Sequence, residues 1–368
     1  MTQNTPWLWQ LPEWPQFNWE RQALAPLEAQ FLARSGQLVG ASQHLAENDR
    51  ETLRIDWLSN EAMETSAIEG EMLDRDSVQS SVRRQFGLKT DNRRSGPREA
   101  GIAEMMVALY RDFDGPLSAE SLYDWHRMIM NGRRDLDVIG GWRQHSEPMQ
   151  IVSGAVYEPK IHFEAPPSVN MDAEMAAFVD WFAGSRDLPA ITRAGLAHFY
   201  FVCVHPFEDG NGRIGRAISE KALAQSLGRP SLIALSEMIA RKQRGYYDAL
   251  EAANRSLEIT PWLLWFGETV LEAATLSQHK MTRLIDKTKM FSRLSGQLNT
   301  RQEKALLRLF RAEPDGFVGG LSAANYRQIT GATAMTATRD LTDLVTKGVL
   351  RKTGERRYTR YFLDLPPL

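Results

Sequence analysis

The chain has 368 residues and a net charge of −2, with 43% hydrophobic and 24% charged residues. This length predicts one large domain with one or two smaller ones, and the near-zero charge gives no overall attraction to nucleic acids or membranes. Cys203 is the only cysteine, which excludes disulfides within the chain and argues against a cysteine-based zinc site. With no apolar run of bilayer length and no leader-like N-terminus, we expect a cytoplasmic protein without membrane contact.

Residues 1–20 combine four tryptophans with three prolines. The spacing is too irregular for a helix and predicts an extended arm whose aromatic side chains pack on the main body. An exposed proline-rich ligand for a partner is the alternative, and it would leave the tryptophans in water. A helix is predicted to follow from about Trp19, since Leu24, Leu27 and Phe31 lie three and four residues apart.

A second helix is predicted over residues 50–68. On it Leu58, Ala62, Thr65 and Glu69 would share one face, which places a carboxylate at the end of an apolar stripe. Burying a carboxylate without a partner is costly. Glu69 therefore either reaches solvent at the helix end or pairs with an arginine elsewhere.

Residues 91–99 are polar and contain glycine and proline, which predicts a connection before the main domain. Helices are predicted over about 99–112 and 118–131, and Ser118 is suited to cap the second one.

Residues 149–157 predict two short strands around Ser153-Gly154, a β-hairpin. The edge of such a hairpin offers unpaired backbone groups to an extended peptide. A surface loop without a ligand is the alternative.

Residues 205–216, His-Pro-Phe-Glu-Asp-Gly-Asn-Gly-Arg-Ile-Gly-Arg, join two predicted helices. Gly210 and Gly212 allow a close backbone approach to a ligand, and the amides at the start of the following helix favour an anion. Arg213 and Arg216 lie one turn apart, so both can reach the same phosphate.

Two more groups of this loop suggest a reaction. Asp209 would repel a phosphate unless it holds a divalent cation such as Mg²⁺. His205 can accept a proton near neutral pH. Together with the arginines, these groups predict a phosphate-transfer site.

The loop resembles the signature of the Fic family, His-x-Phe-x-Asp/Glu-Gly-Asn-Gly-Arg-x-x-Arg, at every specified position. Most Fic proteins transfer AMP from ATP to a hydroxyl side chain of a protein. The resemblance implies an all-α Fic fold core with a small β-hairpin flap at residues 99–290, preceded by an N-terminal helical extension at 1–98.

The resemblance also implies roles for single residues. His205 would deprotonate the target hydroxyl, and Asp209 would hold the Mg²⁺. The ATP site would comprise the flap, the loop and part of a later helix: Glu69, Val152, Ser153, Gly154, Ala155, Asp209, Gly210, Asn211, Gly212, Arg213, Ile214, Gly215, Arg216, Tyr246, Tyr247 and Asn254.

Thr65-Ser66-Ala67-Ile68-Glu69-Gly70 resembles the inhibitory motif of Fic proteins, Ser/Thr-x-x-x-Glu-Gly/Asn. In that family the glutamate pairs with the second loop arginine, here Arg216, so that ATP binds unproductively. The flap at 149–157 would align the target protein over the site.

Residues 300–368 predict a separate domain of three helices and a hairpin, a winged helix-turn-helix. It holds 12 Arg and Lys against 7 Asp and Glu. The basic residues cluster on the wing, where they could contact DNA phosphates: Arg351, Lys352, Arg356, Arg357 and Arg360. A protein-binding or homodimerisation module is the alternative.

The sequence thus predicts a protein adenylyltransferase that uses ATP and Mg²⁺, modifies itself and a target protein, and is autoinhibited by Glu69. A de-AMPylase, another phosphate-group transferase on the same fold, and a nucleotide-sensing DNA-binding regulator are the alternatives.

Overall fold

The computed structural model describes residues 5–43, 45, 47–90, 95–155 and 158–368. Part of the connection predicted at 91–99 and the end of the hairpin predicted at 149–157 therefore lie outside the described residues, at 91–94 and 156–157.

The described chain is mainly helical, with two small antiparallel hairpins. The N-terminal helices are α1 (Arg21–Gln43), α2 (Glu47–Ile68) and α3 (Arg75–Gln85). They are followed by α4 (Pro97–Arg111), α5 (Ala119–Ile129), the strands β1 (Gln150–Ala155) and β2 (Glu158–Glu164), α6 (Met171–Gly184), α7 (Ala190–Val204), α8 (Asn211–Leu227), α9 (Leu235–Arg241), α10 (Gln243–Ala253) and α11 (Thr260–Arg293). The C-terminal elements are α12 (Thr300–Phe310), α13 (Ala323–Thr330), α14 (Ala334–Thr346), β3 (Leu350–Thr353) and β4 (Arg360–Leu363).

The chain divides into two compact units. The first contains the described residues up to Gln37 together with Arg54–Thr275, and the second contains Leu38–Leu53 and Leu276–Leu368 within the described ranges. The divisions between the two units fall inside α1, α2 and α11, and the domain boundaries predicted at 98 and 290 stay predictions.

Local signals explain several helix ends. The Ser118 hydroxyl accepts a hydrogen bond from the Ser121 amide at 3.2 Å, which caps α5 as predicted. Gly228 ends α8 in the left-handed conformation, with φ 65°. Asp74 caps α3 by accepting from the Ser77 amide at 2.9 Å.

Helix α7 forms the centre of the first unit, and all of its residues are buried. Trp262 of α11 packs against it and donates its indole N–H to the carbonyl oxygen of Gly195 at 2.9 Å. The predicted aromatic arm packs on the same helix, because the Trp14 ring lies 5.2 Å from the ring of Tyr200 and the Phe17 ring 5.8 Å from that of Phe199. The prediction that the arm packs on the main body is therefore confirmed, but the arm is not extended throughout, because Leu8–Gln10 form a short 3₁₀ helix.

The predicted hairpin is present, but its turn was placed wrongly. Ser153 pairs with Lys160 and Gly154 with Pro159, so Ser153-Gly154 lies inside β1 and the chain reverses after Ala155. Gly154 has a positive φ of 93° within the strand. Its partner Pro159 has no N–H to donate, which suits an edge position.

The second unit contains three helices followed by a hairpin, in the predicted order. Its core includes Leu306, Tyr326, Leu341 and Val349, all fully buried. Assignment to the winged helix-turn-helix class stays a prediction. In the described part of the chain, no helix combines the length and the apolar character that crossing a membrane requires.

The packing of α4 on α5 gives a test of the first unit. A Cβ at Gly101 would overlap the carbonyl oxygen of Met128, so Gly101→Ala should lower the free energy of unfolding by about 1–3 kcal/mol. The matched control is Gly36→Ala in α1, where a Cβ would meet no atom within 4 Å. The control should be neutral or stabilising by up to about 1 kcal/mol. Thermal and urea unfolding followed by circular dichroism would measure both, and equal stabilities would refute the close packing.

Candidate active site

The loop between α7 and α8 begins with an abrupt turn at His205. This residue is in the left-handed region, with φ 52° and ψ 57°, and its amide donates to the carbonyl oxygen of Phe201 at 3.0 Å. A non-glycine residue in this region costs roughly 1–2 kcal/mol. Other contacts must therefore fix the turn.

Arg143 supplies these contacts. Its guanidinium donates from Nε to the carbonyl oxygen of His205 at 2.8 Å, and from Nη2 to that of Pro166. Nη1 donates to the hydroxyl of Ser168 at 2.8 Å. Arg143 is 1% exposed, and this burial lowers its pKa to about 10. Sequence reasoning missed Arg143, because no local motif contains it.

The His205 ring is oriented as a proton acceptor. Its Nδ1 lies 3.1 Å from the carbonyl oxygen of Val202. A carbonyl oxygen can only accept, so the neutral ring carries its proton on Nδ1 and leaves the Nε2 lone pair available. Burial, opposed by the Val202 hydrogen bond and assisted by the Arg143 charge, lowers the pKa of His205 to about 4. The ring is therefore neutral at pH 7.

Phe207 and Asn211 hold the loop in shape. The Phe207 ring is fully buried and stacks on His126 with 4.2 Å between ring centroids. The Asn211 side chain accepts from the Phe207 amide at 2.9 Å and donates to the Phe207 carbonyl at 2.8 Å. Asn211 thus shapes the loop, and its predicted contact with phosphate stays a prediction.

Gly210 and Gly212 are required in the loop for different structural reasons. Gly210 has φ 83°, and a Cβ there would lie 2.6 Å from Cε of Met130. A Cβ at Gly212 would overlap the Glu69 carboxylate. Ile214 is fully buried and donates its amide to Gly210 at 3.0 Å, while Gly215 faces Val202. Ile214 and Gly215 thus contribute to helix packing, and their predicted contact with ATP stays a prediction.

Asp209, the predicted metal ligand, lies between two arginines. Its Oδ2 accepts from Nη1 of Arg133 at 2.6 Å, and its Oδ1 lies 3.3 Å from Nη2 of Arg213. Burial alone would raise the pKa of Asp209, but the hydrogen bond from Arg133 and both arginine charges lower it below its ordinary value. Arg133 also pairs with Asp135 at 2.7 Å and is a second residue that sequence reasoning missed.

Arg213 has a second acidic partner. Its Nη1 donates to Oε2 of Glu71 at 2.6 Å, and the Arg213 side chain is only 3% exposed. Its Nε is buried and has no hydrogen-bond partner within the described ranges. Glu71 was not among the predicted site residues, although it follows the predicted inhibitory motif directly.

Glu69 pairs with Arg216, as the resemblance implied. Oε1 of Glu69 accepts from Nη2 of Arg216 at 2.7 Å. Thr65 completes the contact, because its hydroxyl accepts from Nε at 2.7 Å and its carbonyl from Nη2 at 2.9 Å. Burial opposes ionisation of Arg216, but the charge of Glu69 raises its pKa above the ordinary value. Nη1 is a buried donor with no partner among the described residues.

The predicted adenosine residues have different surroundings. Tyr246 is 2% exposed, and its hydroxyl lies 2.8 Å from Nε2 of His198. Burial lowers the pKa of His198 to about 3, so that ring is neutral. Tyr247 is 43% exposed and donates to the carbonyl oxygen of Ile68 at 3.3 Å. Of the two tyrosines, Tyr247 is therefore the one accessible from solvent, and the predicted contact of both with nucleotide stays a prediction.

Asn254 and the flap residues lie at the other end of α10. Asn254 is 5% exposed, and its side chain donates to the carbonyl oxygen of His162 in β2 at 2.7 Å. Val152 and Ser153 are exposed on β1, and Gly154 and Ala155 continue that strand. The contact of Asn254 holds the hairpin on α10, and its predicted contact with nucleotide stays a prediction.

The donor set limits the kind of metal site. Within the described ranges, no cluster of three His, Cys, Asp or Glu residues could enclose a metal ion. Mg²⁺ commonly uses one or two carboxylates plus substrate phosphates and water. Asp209, with 36% of its side chain exposed, fits that open arrangement.

Comparisons with known proteins match two parts of the chain to family models. Residues 116–223 match the model of the Fic/DOC family. Residues 7–88 match a domain of unknown function, DUF4172.

Curated relatives match part of the chain. A protein adenylyltransferase fic-1 of Caenorhabditis elegans is 37% identical over 158 residues, which cover 42% of this chain and 28% of that protein. A protein adenylyltransferase Fic of Nematostella vectensis is 29% identical over 123 residues, covering 32% of this chain and 27% of that protein. The matched segment thus spans only 27–28% of these two relatives.

Solved structures extend the likeness in fold. A Fic family protein from Desulfovibrio desulfuricans G20 aligns with a TM-score of 0.53 at 22% identity, over 93% of this chain and 97% of its own. A Fic domain containing signaling protein from Bacteroides thetaiotaomicron aligns with a TM-score of 0.51 at 20% identity, over 68% of this chain and 96% of its own. The mostly helical chain with its small hairpin has the Fic fold.

The protonation state of His205 can be tested directly. Because its pKa is lowered to about 4, the ring should stay neutral as the pH falls from 7 and should take up a proton only near pH 4. Nuclear magnetic resonance of the histidine rings would follow the titration, with a His205→Ala variant to identify the signal. A midpoint at or above the ordinary value of about 6.5 would contradict the desolvated environment.

Proposed function

Residues 116–223 form a Fic/DOC family domain in this chain, and from that premise we propose that the chain is a protein adenylyltransferase. It transfers AMP from ATP to a hydroxyl side chain of a target protein and of itself. The observation that carries the proposal is the loop at 205–216, which combines a neutral histidine with two buried arginines. The curated relatives named protein adenylyltransferases support it.

His205 is the general base of this proposal. Its Nε2 accepts the proton of the target hydroxyl, whose oxygen attacks the α-phosphate as pyrophosphate leaves. General bases of this kind contribute about 10²–10⁴-fold to rates. Because Arg143 fixes the His205 backbone, the base is already positioned when substrate arrives.

The phosphates would bind at the start of α8. The helix N-terminus and the charges of Arg213 and Arg216 favour an anion there. The unpartnered Nε of Arg213 and Nη1 of Arg216 are buried donors that a phosphate would satisfy, among the residues that the structure describes. Mg²⁺, held by Asp209 together with phosphate oxygens, would supply further charge neutralisation.

Two carboxylates oppose this binding, and we assign both to autoinhibition. Glu69 engages Arg216 and Glu71 engages Arg213. Each pair neutralises an arginine that the triphosphate needs. The arrangement therefore favours a binding mode of ATP from which AMP is not transferred. De-AMPylation, with Glu69 orienting a water, is the alternative reaction for the same groups.

The second unit has its own candidate function. Arg351, Lys352, Arg356 and Arg357 are exposed around its hairpin, and a basic wing favours phosphate contacts. We propose that this surface contacts DNA, with a protein partner or a second copy of the chain as the alternative. Sequence-specific DNA binding would support the DNA proposal over the two alternatives. Weak, salt-sensitive affinity for any DNA would support none of the three.

The first test of the proposed reaction uses wild type, Glu69→Gly and His205→Ala. Each is incubated with Mg²⁺, ATP labelled on the α-phosphate and cell lysate. Release of Arg216 should make Glu69→Gly label other proteins about tenfold or more above wild type, because an interaction of about 1.4 kcal/mol changes a rate tenfold. His205→Ala should lose transfer to other proteins. Equal labelling by wild type and Glu69→Gly would refute autoinhibition by Glu69.

Glu71 gives a separate prediction. In the Glu69→Gly background, Glu71→Gln should lower the KM for ATP about tenfold, because hydrogen bonds to charged groups contribute about 1.5–3 kcal/mol and Arg213 becomes free for the phosphates. The matched control is Glu104→Gln, on the exposed face of α4. Steady-state kinetics over a range of ATP concentrations would measure the change, with thermal unfolding to confirm the fold. An unchanged KM would remove Glu71 from the mechanism.

A further inference from the structure

A second hydrogen-bonded chain of side chains lies on the flap, outside the loop at 205–216. It comprises Ser153 on β1, His162 on β2 and Glu251 on α10. The Ser153 hydroxyl lies 2.6 Å from Nε2 of His162. Nδ1 of His162 lies 2.7 Å from Oε2 of Glu251. A hydroxyl, an imidazole and a carboxylate in this order form the arrangement that activates a nucleophilic serine.

The partners determine where the protons lie. A carboxylate can only accept, so Nδ1 of His162 carries the proton that it donates to Glu251. Nε2 is then the acceptor for the Ser153 hydroxyl. Lys160 holds the other oxygen of Glu251 at 2.7 Å, and the hydrogen bonds from Lys160 and His162 lower the pKa of Glu251. The carboxylate therefore stays ionised and keeps the ring in this tautomer.

Support of the hairpin does not require the serine hydroxyl. The backbone of His162 is already held on α10 by the amide of Asn254 at 2.7 Å, and Lys160 pairs with Glu251. Ser153 is exposed, at the free end of the chain of hydrogen bonds. An exposed hydroxyl with its own oriented base is suited to react with an incoming electrophile.

Helix α10 connects this cluster to the candidate nucleotide site. Glu251 follows Tyr247 by one helical turn, a rise of about 6 Å. The Tyr247 hydroxyl reaches the carbonyl oxygen of Ile68, the residue before Glu69. His162, the base of Ser153, is thus held by Glu251. Glu251 lies one helical turn from Tyr247, the exposed tyrosine of the candidate nucleotide site.

We infer that Ser153 is the residue at which this chain adenylylates itself, with His162 as its base and Glu251 as the group that orients the base. The inference rests on the proposed AMP transfer and names the acceptor residue of this chain. The proton of the Ser153 hydroxyl passes to Nε2 of His162, and Oγ forms a bond to the α-phosphorus of ATP. The bond from that phosphorus to the oxygen bridging to the β-phosphate breaks, and pyrophosphate leaves with the electron pair.

The location of AMP is the first test. The full-length Glu69→Gly chain is incubated with Mg²⁺ and ATP, and its peptides are mapped by mass spectrometry. AMP should be found on Ser153, and Ser153→Ala should remove it. The matched control is Ser226→Ala, an exposed serine near the end of α8 whose hydroxyl donates to the backbone of Ala222. AMP confined to other residues would overturn the inference.

The role of the base is tested by substitution and rescue. In the Glu69→Gly background, His162→Gly should reduce modification of Ser153 about 100-fold relative to modification of other proteins, and added imidazole should restore it. Because Ser153 has its own base, its modification should persist in Glu69→Gly/His205→Ala. Loss of the Ser153 adduct in that double variant, or no effect of His162→Gly, would overturn the assignment of His162.

A chemical probe separates this inference from the proposed function. A fluorophosphonate reacts with activated serines without ATP, so it should label Ser153 in His205→Ala and fail to label it in His162→Gly. Absence of label on Ser153, with AMP transfer to other proteins intact, would overturn the inference alone. Absence of AMP from every protein, with the probe still bound to Ser153, would overturn the proposed function and the acceptor role together.

Discussion

The left-handed turn at His205 is the constraint on which the candidate site depends. It ends α7 at His205 and precedes the short loop that leads to the start of α8. The buried guanidinium of Arg143 stabilises this turn by donating to the His205 carbonyl. The proposed base and the proposed anion site thus share one support, since displacement of the turn would move both.

The charges of the site form matched pairs. Glu69 neutralises Arg216, Glu71 neutralises Arg213, and Asp209 is shared between Arg213 and Arg133. Arg213 and Arg216 are 2–3% exposed, whereas Glu69 and Glu71 are 19–29% exposed, so removing a carboxylate leaves a buried arginine charge without its partner, which is costly. In the proposed function, a triphosphate takes the place of the carboxylates that now satisfy the arginines.

Helix α10 joins regions that are far apart in sequence. At one end Tyr247 and Gln243 contact the carbonyl oxygen of Ile68, next to Glu69. At the other end Asn254 and Glu251 hold β2 of the flap. The segment proposed to be inhibitory and the flap therefore both contact the same helix.

The sequence by itself determined the residue types of the loop, the cap at Ser118 and the pairing of Glu69 with Arg216, since a short motif or a family signature encodes each of them. Only the tertiary structure brought Arg143 to His205, Arg133 to Asp209, Glu71 to Arg213 and Glu251 to His162. These pairs are separated by 62, 76, 142 and 89 residues, so no local pattern contains them. The hairpin turn was misplaced for a related reason: a Ser-Gly pair is a local turn signal, whereas the register of two strands is decided by what packs against them.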